Sequence, residues 1–200
     1  MKMNAIEKML VNNPVRSLML RAMAHTLLRR AGTSLANKTV LEIGCGQGAG
    51  TALLRDQCGA ARVVAFDYDT TQVARAKRRH AAANESNAAL FVGDVARLPF
   101  PDSHFDAVVE FAILHHVPEW RMGLREIARV LKPGGVLLYE EYLRGFTGNP
   151  VAKLFLLHPE EGMFTSEMFY RELASAGLSR SAAQPRLGQW WLAGLAVRSA

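Results

Sequence analysis

Cysteine is scarce in this chain, which holds only Cys45 and Cys58 among its 200 residues. Two cysteines exclude a disulfide framework, and their spacing is not that of a CxxC metal pair. Long apolar runs are absent too, since none approaches the roughly 20 residues that a membrane-spanning helix needs, and the opening residues MKMNAIEKML mix polar with apolar side chains. We therefore expect a cytoplasmic protein with reduced thiols, no metal site and no membrane span.

Acidic residues are in the minority, at 18 against 24 lysines and arginines, which gives a net charge of +6. The deficit is sharpest in residues 1–38, where Glu7 is the single acid. Positive charge attracts an acidic small molecule, an anionic membrane surface or nucleic acid, and does not choose among them. The basic run Lys77-Arg78-Arg79 lacks interleaved aromatic residues, which favours a solvated helix face over a nucleic-acid platform. We expect a small-molecule substrate, hydrophobic or anionic, and no nucleic-acid partner; composition indicates no oligomeric state.

The alternation of apolar strands with helical segments indicates the fold class. With 50% hydrophobic residues the chain can form one sizeable core, and strands separated by helices predict a doubly wound, Rossmann-like α/β fold. The patterns predict strands at residues 39–43, 62–66, 89–92, 105–109, 136–139 and 190–197, and helices at 4–30 (broken near 12–14), 50–56, 70–83, 119–131 and 166–176. We expect one domain, 1–200, made of a helical preface or lid (1–38), a cofactor-binding core (39–141) and a substrate-side segment with the last strands (142–200).

A glycine-rich segment, Glu42-Ile43-Gly44-Cys45-Gly46-Gln47-Gly48, joins the first predicted strand to the next helix. A tight strand-to-helix turn requires residues without a Cβ, and the same absence lets backbone N–H groups approach a ligand closely. Asp67 ends the second predicted strand 19 residues after Gly48, a position from which a carboxylate accepts hydrogen bonds from ribose hydroxyls. Taken alone, Asp67 is also an ordinary turn residue beside Asp69. Together the turn and the acid predict an adenosine-containing ligand.

The residues around this turn narrow the choice among adenosine-containing ligands. No GxxxxGKS or GxxxxGKT sequence is present, so ATP-driven chemistry is not expected. Glu42 puts a negative charge beside the turn, which suits the sulfonium and α-amino groups of S-adenosylmethionine (SAM) and opposes the pyrophosphate of NAD. A nicotinamide-dependent reductase stays the enzymatic alternative because Gly44, Gly46 and Ala49 fit the relaxed GxGxxA pattern, although no tyrosine is followed four residues later by lysine. A noncatalytic protein that keeps the fold to bind a partner also stays open.

Residues 40–48 resemble the first motif of class I SAM-dependent methyltransferases. Further stretches match that family in the same order, namely VAFDYD (64–69), VGDVARLPF (92–100), FDAVVE (105–110), LHHV (114–117) and RVLKPGG (129–135). The set is similar to the type 11-like, small-molecule branch and covers about residues 39–140. The resemblance implies a seven-stranded, mostly parallel sheet with an antiparallel last strand, SAM as the cofactor, and methyl transfer to a small-molecule acceptor.

The resemblance also implies a cofactor site. The acid of the second motif, Asp67, would hold the ribose, and the acid of the third, Asp94, would contact the adenine amino group. The expected cofactor-binding residues are Glu42, Gly44, Cys45, Gly46, Gly48, Asp67, Tyr68, Gly93, Asp94, Val95, Glu110 and Phe111. Glu110 departs from the family, which often has a small polar residue there, so its side chain either faces substrate or pairs with a nearby arginine.

Methyl transfer is an in-line displacement, so the enzyme mainly aligns donor with acceptor and excludes water. A hydroxyl or carbon acceptor also requires a base, for which the candidates at strand ends are His115, Glu110 and Glu140. On a helical segment His115 and His116 point about 100° apart, and we favour His115 as the one that faces the cleft. Glu140 and Glu141 alternate across their strand, which directs them to opposite faces.

Substrate selection is expected from the helical preface and from residues 142–165, which can fold over the carboxyl ends of the strands. Residues 151–157 are apolar, as are Met163, Phe164, Met168 and Phe169. Such side chains serve a hydrophobic substrate or the protein core, and core packing is the favoured interpretation.

Overall fold

One mixed sheet organises the chain. The computed structural model describes residue 9 and residues 13–83, 87–149, 163–181 and 186–199. Its strands are β1 (Thr39–Ile43), β2 (Arg62–Asp67), β3 (Ala88–Val92), β4 (Phe105–Phe111), β5 (Leu131–Tyr142), β6 (Leu178–Arg180), β7 (Arg186–Leu187) and β8 (Trp191–Arg198). They are ordered β3-β2-β1-β4-β5-β8-β6, and the short β7 pairs with β8 beside this path. Strands β1 to β5 are parallel, whereas β8 is antiparallel to β5 and β6. The seven strands along the path confirm the predicted fold class, including the antiparallel late strand.

Helices cover both faces of this sheet. They are α1 (Pro14–Arg30), α2 (Ala49–Asp56), α3 (Thr70–Ala82), α4 (Trp120–Val130), α5 (Arg144–Thr147) and α6 (Ser166–Ser175), with a 3₁₀ turn at Leu114–His116. The predicted ends of α2, α3, α4 and α6 are correct to within one residue, and β5 is longer than predicted. The short elements β6, β7, α5 and the 3₁₀ turn were not predicted because so few residues show no hydrophobic period. The predicted helix before residue 13 lies outside the described residues except for Met9. In the described parts of the chain, no helix is both long and apolar enough to cross a membrane.

Strand side chains alternate between two apolar layers. Leu41 of β1 packs on one face in a cluster with Trp120 of α4, whereas its neighbour Val40 packs on the other face with Leu27 of α1 and Leu54 of α2. Successive residues of a strand point to opposite faces, so both layers are built from the same short strands. The sheet is therefore buried on both sides, and α1 is one of the helices that cover it.

The aromatic residues before and within α6 belong to the first layer. Met163, Phe164 and Phe169 are buried, and the Phe164 ring centroid lies 4.6 Å from that of Trp120. Met168 packs against the same cluster while partly exposed. These positions confirm the core interpretation for the four residues, while residues 151–157 lie outside the described part of the chain. Both cysteines are buried free thiols, as expected.

Local sequence fixes where α1 begins. The side chain of Asn13 accepts a hydrogen bond from the backbone N–H of Arg16 at 2.9 Å, and Pro14 occupies the first helical position. An Asn cap followed by proline satisfies one orphan donor and removes another. The first turn of α1 is thereby set, and with it the position of Arg16.

Candidate cofactor site

A cavity of about 290 Å³ opens at the carboxyl ends of β1 and β2 and at the loops after β3 and β4. Strand β1 is flanked by β2 and β4, so the chain order reverses here, which is where open α/β sheets bind ligands. The cavity is lined by Ile43, Gly44, Phe66, Asp67, Tyr68, Asp69, Gly93, Asp94, Val95, Ile113, His116, Val117, Pro118 and Glu119.

The turn after β1 depends on glycine. Gly44 has φ +70°, and a Cβ added there would lie 2.2 Å from Cδ1 of Ile113. Gly48, which precedes α2, has φ +83°, and a Cβ there would lie 2.7 Å from Nε2 of His80. Both the left-handed backbone and the lack of space exclude larger residues. The predicted strand-to-helix turn is present, and its backbone faces the cavity at Gly44.

Asp67 ties the end of β2 to this turn. Its Oδ2 accepts the backbone N–H of Gly46 at 2.9 Å, and its Oδ1 accepts the backbone N–H of Asp69 at 2.8 Å. The side chain of Asp69 in turn caps α3 by accepting the N–H of Thr71 at 2.8 Å. The Asp67 carboxylate is thus held at the cavity wall by two backbone donors, and four lone-pair sites leave it capacity for further donors.

Glu42 lies beneath the turn and not on the cavity surface. It is buried and accepts a hydrogen bond from the hydroxyl of Thr51, and a Cβ added at Gly50 would lie 2.0 Å from its Oε1. Burial raises the pKa of Glu42 to about 7, the Thr51 hydrogen bond opposes that rise, and the negative charge of Asp67 adds to it. At neutral pH this carboxyl group is therefore close to its titration midpoint.

The expected cofactor residues divide into two groups. Six of them line the cavity, namely Gly44, Asp67, Tyr68, Gly93, Asp94 and Val95. The other six lie behind or below it and are absent from its lining, namely Glu42, Cys45, Gly46, Gly48, Glu110 and Phe111. Sequence reasoning missed eight lining residues, namely Ile43, Phe66, Asp69, Ile113, His116, Val117, Pro118 and Glu119. Their shared signal is position, because each lies at or just beyond the carboxyl end of a parallel strand.

The loop after β4 carries backbone strain. Ala112 has φ +63°, unusual for a residue other than glycine, and its N–H donates to the carbonyl of Glu140 at 2.7 Å. The next residue, Ile113, contributes to the cavity wall. A left-handed alanine held by a bond to β5 therefore directs this loop towards the cavity.

The charge of the cavity wall has one sign. Among the described residues that line it, four are acidic, namely Asp67, Asp69, Asp94 and Glu119, and none is lysine or arginine. Such a wall attracts a cation and hydroxyl donors, whereas a pyrophosphate would meet repulsion without a compensating positive side chain. Between acids and glycines, Ile43, Phe66 and Val95 supply apolar surface for a ring. These acids, backbone groups and apolar side chains fit SAM, with its sulfonium, ribose and adenine.

Behind the cavity, three ionisable side chains form a buried cluster. Oε1 and Oε2 of Glu110 accept backbone N–H groups of Glu140 and Ile113, each at 3.1 Å. Glu141 accepts the N–H of Leu114 at 2.6 Å and faces Nδ1 of His115 at 2.6 Å. Burial raises the pKa of Glu110 well above its ordinary value, and the adjacent Glu141 charge raises it further. Burial also raises the pKa of Glu141, to about 8, so the pair favours retaining a proton over carrying two adjacent negative charges.

His115 is neutral in this cluster. Burial lowers its pKa to about 3, and the charge of Arg16 lowers it further. Its Nδ1 forms a hydrogen bond with Oε2 of Glu141, whose own pKa burial raises to about 8. His115 is buried and absent from the cavity lining, whereas His116 lines the cavity. The histidine on the cavity wall is thus His116, because the 3₁₀ turn directs the preceding residue inward.

Glu140 faces the opposite side of β5 and pairs with α1. Both carboxylate oxygens accept from the guanidinium of Arg16, one of them at 2.6 Å, and Oε1 accepts Nε1–H of Trp191 at 2.8 Å. Glu140 and Glu141 therefore do point to opposite faces, and both are buried. None of the three candidate bases, Glu110, His115 and Glu140, lines the cavity.

Comparison with known proteins agrees with this geometry. A family model described as a methyltransferase domain matches residues 41–139. The chain is 37% identical over 111 residues to a fatty-acid O-methyltransferase of Mycolicibacterium smegmatis, a match that covers 56% of this chain and 39% of the relative. It is 36% identical over 107 residues to phthiotriol/phenolphthiotriol dimycocerosates methyltransferase 1 of Mycobacterium ulcerans, which covers 54% of this chain and 38% of the relative. The chain thus spans about two fifths of the length of these relatives.

Among solved structures, the PH0226 protein of Pyrococcus horikoshii superposes with a TM-score of 0.77 over 94% of this chain and 93% of that one, at 19% identity. That similarity supports the fold. The fold, the glycine turn and the acidic cavity define a SAM-type cofactor protein. The chain belongs to the class I SAM-dependent methyltransferase family, whose cofactor is SAM.

Proposed function

We propose that this chain binds SAM in the 290 Å³ cavity and transfers its methyl group to a small, lipid-like acceptor. The observation that carries the proposal is the position of Asp67, held at the cavity wall by the N–H of Gly46, together with three further acids, Asp69, Asp94 and Glu119, in the described lining. A cationic adenosine ligand is the chemistry that such a wall recognises.

The lining residues suggest how SAM is held. Asp67 would accept the ribose hydroxyls, and Asp94 would contact the adenine amino group. Gly44 and Gly93 have no side chain to cover their backbone, which leaves it accessible to the cofactor. A larger residue would not fit at either position, because a Cβ there would collide with neighbouring side chains. Glu42, below the turn, would supply negative charge near the methionine end of the cofactor. Bound SAM supplies an electrophilic methyl group on a sulfonium.

The chain's own contribution to the reaction is positioning and exclusion of water. Apolar Ile113 and Val117 form the wall of the cavity after β4, where an acceptor can approach. A carboxylate acceptor needs no base because it is already an anion, whereas a hydroxyl acceptor must lose a proton. His116, which lines the cavity, is the base candidate for that second case, whereas His115, 4.2 Å away by ring centroids, is buried and does not line the cavity.

The lipid-like acceptor is supported by the relatives. The two named above act, by their names, on fatty acids and on phthiotriol dimycocerosates. Both acceptors combine a long apolar body with an oxygen nucleophile. NAD has weaker support than SAM as the cofactor, since the four acids in the described lining would repel its phosphates.

The test has two stages. Titration calorimetry with SAM, S-adenosylhomocysteine and NADH separates the cofactor classes, and we expect binding of the first two at about micromolar Kd and none of NADH. NADH binding without SAM binding would overturn the methyltransferase assignment.

In the second stage, SAM with a radiolabelled methyl group is incubated with a total lipid extract, free oleate, polar metabolites, protein and RNA. Label in the lipid or oleate fraction supports the acceptor class; label confined to another fraction contradicts it. SAM binding without label in any fraction favours a noncatalytic protein.

A further inference from the structure

One face of α1 is apolar and exposed. Val15, Leu18 and Met19 are 67%, 65% and 60% exposed, and Ala22 is exposed beside them. Their spacing of i, i+3, i+4 and i+7 places the four side chains in a single stripe along the helix. We call these four residues the α1 stripe.

Among the described residues, the α1 stripe takes no part in either apolar layer of the core. The opposite face of α1 provides its contacts with the core through buried residues, namely Leu20, Ala24, Leu27 and Leu28. Elsewhere in the described chain, large exposed apolar side chains stand at scattered positions, namely Met9, Tyr68, Val92, Met122 and Trp190. Isolated exposed apolar residues are normal, but a contiguous stripe marks an interaction surface.

Positive charge surrounds the α1 stripe. Within Pro14–Arg30 there is no acidic residue, and Arg21, Arg29 and Arg30 are exposed. With the opposite face of α1 buried in the core, an exposed apolar stripe flanked by arginines suits the interface of an anionic bilayer, where apolar side chains meet the acyl chains and cations meet the headgroups.

The location of α1 relates this surface to the cavity. Arg16, in its first turn, holds Glu140 near the carboxyl end of β5, where Trp191 also donates to the same carboxylate. The cavity opens at the carboxyl ends of the neighbouring strands. The α1 stripe therefore begins at the end of the sheet at which ligands enter.

We propose that α1 docks on the surface of an anionic lipid bilayer through the α1 stripe, with Arg21, Arg29 and Arg30 at the headgroups. The docking itself needs no cofactor; its purpose, delivery of a lipid-like acceptor from the bilayer, rests on the proposed function.

A second copy of the chain fits this surface less well. Face-to-face packing would bring the arginines of both copies together, and four side chains fall far short of the roughly 20–30 residues a side that a stable interface uses.

The test is co-sedimentation of the full chain with vesicles. Wild type is compared on pure phosphatidylcholine and on phosphatidylcholine with 25% phosphatidylglycerol (about one lipid in four), at low and at high salt. We expect binding to the anionic vesicles that weakens with salt. In the Leu18→Glu/Met19→Glu variant the partition coefficient should fall at least about tenfold, because two charges enter the apolar interface. Met122→Glu, an exposed apolar residue of α4, is the matched control and should leave binding within about twofold.

A second pair of variants tests the charges. Arg21→Gln should weaken binding to anionic vesicles about fivefold, the effect of one cation near an anionic surface. Arg78→Gln, which removes an exposed arginine of α3, should weaken that binding less. SAM titration of every variant keeps the two hypotheses apart, since α1 stripe variants should bind SAM as wild type does. Equal binding to both vesicle types, unchanged binding of the double variant, or a concentration-dependent dimer that the double variant abolishes would each overturn the proposal. If wild type binds the anionic vesicles but does not bind SAM, the proposed function is contradicted and the docking proposal stands.

Discussion

Asp67 accepts a hydrogen bond from the backbone N–H of Gly46, with 2.9 Å between Oδ2 and N. The acid that ends β2 therefore braces the glycine turn that follows β1, and the same side chain lines the cavity. One carboxylate serves both the shape of the turn and the ligand site, so its replacement should affect both.

Replacing Asp67 with alanine should weaken SAM binding about 10- to 100-fold, because a charged acceptor for ribose hydroxyls is lost. Asp67→Asn keeps one acceptor oxygen and should fall between alanine and wild type. Calorimetric titration with SAM and S-adenosylhomocysteine measures both variants. Asp56→Ala is the control, since Asp56 is half-exposed on α2 and pairs with Arg55. Unchanged SAM affinity in Asp67→Ala would contradict the ribose assignment.

Gly44→Ala should destabilise the protein more than Gly134→Ala. The two glycines have similar backbone angles, φ +70° and +75°, but a Cβ at Gly134 meets no atom within 4 Å, whereas one at Gly44 collides with Ile113. The backbone penalty, about 1–3 kcal/mol, is shared, and Gly44→Ala adds about 1–3 kcal/mol of overpacking. Urea denaturation gives the free energy of unfolding. SAM affinity should fall only in Gly44→Ala, because the new Cβ displaces Ile113, which lines the cavity. Equal losses of SAM affinity in both variants would count against this account.

Arg16→Met should lower the free energy of unfolding by about 3 kcal/mol, because Glu140 would be left buried without its cation. Arg125→Met is the control: Arg125 is exposed and pairs with Glu172 at 3.2 Å, and its loss should change the free energy by less than about 1 kcal/mol. The double variant Arg16→Met/Glu140→Gln should recover part of the loss, since no unpaired charge remains. A double variant as unstable as the sum of its single changes would mean that the two residues do not interact.

Glu42 should make stability fall with rising pH. Its pKa is raised from 4.5 to about 7 by burial, so the folded protein holds a proton that the unfolded chain has released between those values. The stabilisation is complete below pH 4.5 and is lost as pH rises to about 7, with an upper limit of about 3 kcal/mol. Glu42→Gln keeps an acceptor for the Thr51 hydroxyl and does not titrate. The difference in unfolding free energy between wild type and Glu42→Gln should therefore change between pH 4.5 and 7, and a constant difference would show that Glu42 titrates normally.

Much of the fold was predictable because its signals are local. Apolar runs such as Thr39–Ile43 and the proline and glycines after α4 mark element boundaries by the chemistry of the residues themselves. The position of Asp67 at the end of its strand was predictable for the same reason. The two-residue strand β7 was not predictable, since its pairing with β8 defines it.

Patterns of neighbouring residues were enough to predict the doubly wound order, the glycine turn and the acids beside it, because each depends on residues close together in the chain. Packing between distant segments was needed to show that His116, and not His115, lines the cavity, that Glu110 and Glu141 share a buried cluster, and that Arg16 meets Glu140 across 124 positions. These relationships depend on how distant segments pack, and burial and long-range charge leave no periodic signal in the residues that experience them.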